Sequence, residues 1–246
     1  MEIFDFLKHL HNECIRLSEH IVFDKKHPRH LHLVCLYGTL IELVGSLIVL
    51  IERKRRVGVP TIFRSFLEAY VDLKNLHEKA EYGYHMDASY HDQWIKVLKE
   101  AKNKPNPYLK DISQIENLDE QIQEHEKEFA DLKNKGYKTL SIFQRFKRAG
   151  MEAEYRSLYN FLSNDAHSNI RALVNRHLEI YETDFTVVYY KDEPLEDFLT
   201  YIDSTVGSLV NASLKIHGYF ETGSLAEIEK LAQRLNEIRR QYQIFD

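Results

Sequence analysis

Apolar positions recur every three to four residues through most of the chain, and the breaks between those runs set out its elements. Ile3, Phe6, Leu7, Leu10, Cys14, Leu17 and Ile21 predict an amphipathic helix over Ile3–Val22, stopped by the Asp24–Arg29 stretch with Pro28 inside it. Leu33 to Ile51 is nearly continuous in apolar and small residues, the pattern expected of the central buried helix of a bundle. Gly58 and Pro60 mark the next stop and the start of a third helix, whose apolar face reads Ile62, Phe63, Phe66, Leu67, Tyr70, Leu73 and Leu76. A fourth helix over Tyr82–Asn103 is centred on Trp94 and ended by Pro105 and Pro107.

The pattern then changes twice. Asp111 to Lys135 is charged and poor in aromatics, with Ile112, Ile115, Leu118, Ile122, Phe129 and Leu132 at helical spacing. It reads either as a projecting arm within 105–138 that faces a protein partner, or as a solvated helix lying on the bundle. Helices over Thr139–Arg148 and Glu152–Ala166 follow, separated by Gly150. Leu178 to Tyr181 and Phe185 to Tyr190 are rich in branched and aromatic residues and predict a short hairpin. Pro194 opens a long helix to Phe220, and Ser224 caps a last one to Tyr242. The fold expected is one all-α domain over 1–246, mainly a helical bundle. It carries a small β-hairpin near 178–190 and a protruding charged helix near 111–135.

Composition narrows the function classes. The formal charge of −5 excludes the global basic field of a strong nucleic-acid binder, though local runs such as Arg53–Arg56 and Arg145 with Lys147 and Arg148 remain. Such runs are read here as solvated helix ends. Cys14 and Cys35 lie in apolar stretches, which predicts buried free thiols and neither a disulfide framework nor a metal site. Leu33–Ile51 has the length of a membrane span, yet it carries Glu42, and an ionised carboxylate at mid-bilayer costs roughly 2.5–3.5 kcal/mol. With no basic, apolar leader at Met1–Asp5, a soluble cytoplasmic protein without a membrane partner is expected.

Candidate chemistry concentrates on two helices. Arg64 and Glu68 stand four residues apart on one face of the third. Tyr155, Tyr159, Ser163 and His167 form a four-residue ladder on the seventh, a polar stripe on an otherwise core-facing helix. Two readings follow. The groups close a structural hydrogen-bond network, or they form a site in which His167 is acid and base, Arg64 holds an anion and Glu68 orients the imidazole. No phosphate loop, nucleophile elbow or spaced metal-ligand motif accompanies them, so neither cofactor nor metal is expected. The remaining histidines lack the convergent spacing of metal ligands.

Arg64-Ser65-Phe66-Leu67-Glu68 on a helix that follows a buried one, with Tyr159-Asn160-Phe161-Leu162-Ser163-Asn164-Asp165-Ala166-His167 far downstream, resembles the prokaryotic domain-of-unknown-function family 5677 over roughly Leu31–Leu199. That resemblance implies a helical fold and no established activity. Arg171-Ala172-Leu173-Val174-Asn175-Arg176-His177 also resembles the Arg-x4-6-His motif of the HEPN helical ribonucleases, although Ala172 stands where that superfamily tends to have a polar residue. The second resemblance implies a metal-independent nuclease or toxin of the phage-defence type, with RNA as partner and Arg171 and His177 as an alternative pair, commonly in a homo-oligomer. Against this stands a non-catalytic helical module that binds a protein partner through 111–135.

Overall fold

Local signals account for most element boundaries in the computed structural model, which describes residues 2–55, 57–162, 169–191 and 193–241. α1 spans Glu2–Ser18 and buries Ile3, Phe6, Leu7, Leu10, Cys14 and Leu17, the stripe its spacing predicts. α2 spans Pro28–Glu52 with proline in its first turn, where the missing amide donor costs little. α3 spans Gly58–Glu78 and buries Phe63, Phe66, Leu67, Tyr70, Leu73 and Leu76. Near the other end, α10 (Leu199–Tyr219) and α11 (Leu225–Gln241) pack with each other and with α1, and α10 also packs on α2. Full burial of one leucine contributes about 1.5–3 kcal/mol, so these faces, more than helix propensity, hold the bundle together.

Two polar clusters inside this core are paired. Ser213 Oγ donates to the Leu209 carbonyl at 2.8 Å, so its lone pairs face the Tyr37 hydroxyl at 2.9 Å and the Cys14 thiol at 3.3 Å. Arg239 of α11 grips the buried Asp203 of α10 with Nε at 2.7 Å and Nη2 at 2.9 Å, a two-pronged geometry.

α2 departs from the expected central helix. Leu33, Tyr37, Leu40, Val44, Leu47 and Ile51 are buried, while Cys35, Thr39, Glu42, Ser46 and Val49 form an exposed stripe. The apolar run hides a two-faced helix, because its polar residues recur every three or four positions among small and aliphatic neighbours. Cys35 is therefore exposed and Cys14 alone is buried.

Glu78–Arg145 forms a second compact unit. Within it α4 (Tyr82–Asn103) packs on α6 (Leu118–Asn134), with the short α5 (Lys110–Ser113) between them in sequence. Leu98, Leu118 and Ile122 make its core, flanked by Ile112 and Ile115. The charged segment thus has an apolar seam of its own, which its helical spacing anticipated.

α7 (Ile142–Arg148) and α8 (Glu152–Glu154) are short, and α8 runs directly into a π-helical turn over Tyr155–Tyr159. α9 spans Ile170–His177 and passes without a loop into β1 (Leu178–Ile180), which pairs antiparallel with β2 (Phe185–Val187) in the register Leu178 with Val187 and Ile180 with Phe185. Among the described residues the chain is mainly helical, with this one small hairpin.

Candidate functional site

Arg64 and Glu68 rise from consecutive turns of α3, and Tyr159 reaches them from the end of the π-helical turn. Arg64 Nε donates to the Tyr159 hydroxyl at 2.9 Å and to Glu68 Oε1 at 3.3 Å. The Tyr159 hydroxyl in turn donates to the same Glu68 oxygen at 2.6 Å. One carboxylate oxygen therefore accepts from both partners and closes a three-membered ring of hydrogen bonds. The guanidinium also lies over the Tyr159 ring, 4.8 Å from its centroid.

The surroundings fix the phenol. Phe146 and Tyr155 contact the Tyr159 ring at centroid distances of 5.0 and 5.3 Å, Tyr155 nearly parallel to it. Burial, and then the neighbouring Glu68 carboxylate, push the Tyr159 pKa up to about 12. At neutral pH it is a protonated donor and cannot act as a base. The Arg64 and Glu68 side chains keep 25% and 32% of their surface exposed, so the cluster opens to solvent on the α3 side while Tyr159 itself is buried.

Ser163 and His167, the other two members of the expected stripe, lie outside the described residues. Of the alternative pair, Arg171 is exposed on the first turn of α9, and its backbone amide is capped by Asn169 at 2.9 Å. His177 ends the same helix against the hairpin, with Nδ1 3.3 Å from the Val188 carbonyl. Positions six apart on a helix differ by about 240° in direction, so Arg171 and His177 do not share a face. Arg176, not Arg171, lines a pocket together with His177.

Comparison with protein families decides the lineage. The chain matches the family of unknown function DUF5677 over residues 30–186, well over half its length. It belongs to that family. The matched stretch contains both motifs that meet at the Arg64–Glu68–Tyr159 cluster. Comparison with curated proteins and with solved structures gives no match. The family carries no stated activity, and the resemblance to the helical ribonucleases gains nothing from it.

Among the described residues no three His, Cys, Asp or Glu side chains converge as metal ligands. Two histidines from different helices meet: His91 and His125 approach Nδ1 to Nδ1 at 2.8 Å, with Trp94 stacked on His125. One helical register could not show this, because the two imidazoles come from α4 and α6.

Proposed function

We propose that this DUF5677 protein is a cytoplasmic RNA-directed enzyme in which Arg64, Glu68 and Tyr159 form a fixed frame. Ser163 and His167, which follow Tyr159 at four-residue spacing in the sequence, are the reactive groups of this reading. The observation that carries the reading is the ring of hydrogen bonds joining Glu68 to Tyr159 and Arg64, partly open to solvent and built on a π-helical turn. Such turns widen a helix locally and recur at functional sites. A phenol held protonated and an arginine held by a carboxylate keep their geometry as a substrate arrives, which is what a frame for positioning the His167 imidazole requires. His167 would take the proton from an attacking ribose hydroxyl and return one to the leaving oxygen.

A second reading is supported by the charge balance of the same cluster. Glu68 already offsets Arg64, as it would in a network that only fixes the register of α3 against the turn. In that reading the chain is a non-catalytic helical module and its partner is a protein bound through 111–135. Incubation of purified protein with single-stranded RNA separates the two. Cleavage by the wild type, lost in His167→Ala at unchanged thermal stability, is the outcome expected of the enzyme. Absence of cleavage by a folded wild type overturns it.

A further inference from the structure

We propose that a pocket between the end of α2, the end of α9 and the strand-following residues of the hairpin binds a nucleotide, with its phosphate on the basic wall and its base on the tyrosine wall. The pocket has a volume of about 480 Å3 and is lined by Lys54, Arg55, Arg176, His177, Tyr189 and Tyr190, with Val57 and Lys191 at its margin. That size falls within the roughly 300–1,000 Å3 usual for small-molecule sites.

Its charge exceeds what the helix ends require. α2 and α9 both point their C-termini here, and each helix end carries about half a negative charge. Against these stand four cationic side chains, Lys54, Arg55, Arg176 and Lys191, with no carboxylate among the described lining residues. Lys54 and Arg176 have further interactions of their own, so the anion site rests first on Arg55 and Lys191. His177 is held in place twice: its carbonyl accepts from the Val188 amide at 2.8 Å, and its Nδ1 faces the Val188 carbonyl at 3.3 Å. A carbonyl can only accept, so Nδ1 carries the proton, and Nε2 of the neutral ring is an acceptor for an N–H or O–H of the nucleotide.

The aromatic wall is just as specific. Most of the lining surface is apolar, made of rings and methylene stems, which a bare phosphate or an acidic peptide would leave uncovered. Arg55 already stacks on Tyr190, its guanidinium 4.1 Å from the ring centroid, which is the geometry a nucleobase would share or replace. Backbone strain marks the same place. Among the described residues three non-glycines adopt left-handed backbone, and two of them, Lys54 (φ 52°) and Tyr190 (φ 57°), line this pocket. The C-terminus of α2 explains why residue 54 is left-handed, since Arg55 N closes back on Leu50 O at 2.8 Å, but glycine is the residue that suits it. Side chains kept at positions where glycine would relieve strain point to use.

The test uses the full chain, with AMP, a six-residue single-stranded RNA and inorganic phosphate as separate probes in calorimetric titrations. Saturable binding of AMP or of the oligomer is expected. It should weaken at least about tenfold in Tyr190→Gly and in Arg55→Ala, while Tyr190→Gly unfolds at the same or a higher temperature. Tighter binding of the oligomer than of AMP would assign the source as RNA, and equal binding would assign a free nucleotide. Phosphate alone binding as tightly as AMP, affinities unchanged in both variants, or no saturable binding by any probe would each overturn the proposal. None of these readouts involves His167, so failure here is distinct from failure of the cleavage reading.

Discussion

The Tyr159 hydroxyl donates to Glu68 at 2.6 Å across a separation of 91 residues and, together with the Arg64 donation to the same hydroxyl, joins α3 to the π-helical turn. Because Arg64 donates to both groups, the three side chains form a unit, and removing one member changes the bonding of the other two. Tyr159→Phe keeps the ring contacts with Phe146 and Tyr155 and removes only the hydroxyl. It should cost about 1–2 kcal/mol of stability, and in a double-mutant cycle with Glu68→Gln the two losses should fall short of additive. Urea denaturation of the four proteins measures this, and strict additivity would show that the two groups do not act together.

Asp203 is buried and held by two nitrogens of Arg239, so α11 is tied to α10 through a charge that has left water. Asp203→Ala should destabilise by about 1.5–3 kcal/mol, since it removes two hydrogen bonds made to a charged partner. Replacing both residues with apolar ones of similar volume should recover most of that loss. Thermal unfolding of the single and double variants checks both expectations.

His217 is fully buried, and burial together with the nearby His20 lowers its imidazole to about 4 from an ordinary value of 6.5. As pH falls, the unfolded chain takes up this proton first. Stability is therefore full above about 6.5 and declines as pH drops toward about 4, by on the order of 2–3 kcal/mol. Unfolding free energies at several pH values in that window should show the slope in the wild type. The slope should be reduced in His217→Gln.

The two thiols should differ in reactivity. Cys35 sits on the exposed stripe of α2, whereas Cys14 is buried beside Ser213 and burial raises its thiol pKa. A thiol reagent should therefore modify one cysteine in the native protein and both in denaturant. Two fast-reacting thiols in the native state would contradict the packing of α1 against α10.

What the sequence made legible was whatever repeats at helical spacing. The faces of α1 and α3 and the seam of Ile112, Ile115, Leu118 and Ile122 follow from period alone, and so does the Arg64–Glu68 pairing. The convergence of Tyr159 on that pair was anticipated from the polar stripe, because buried hydroxyls need partners. The π-helical register at Tyr155–Tyr159 was not legible, since one widened turn leaves no mark on composition. Nor was the basic pocket. Arg53–Arg56 read as a solvated helix end, and only the tertiary fold brings Lys54 and Arg55 to Arg176 and Tyr190. The left-handed backbone at Lys54 and Tyr190 was hidden for a related reason, because neither position holds the glycine that would announce it. On α2 the aliphatic residues surrounding Glu42 and Ser46 mask an exposed face that period alone does not separate from the buried one.

The most direct measurement compares initial rates of single-stranded RNA cleavage by wild type, Glu68→Gln and His167→Ala, each at a temperature where it is fully folded. A frame that orients a catalytic imidazole predicts no activity in His167→Ala and a fall of about a hundredfold in Glu68→Gln, with circular dichroism unchanged. Equal rates in all three folded proteins would contradict it and leave the Arg64–Glu68–Tyr159 ring as a structural network.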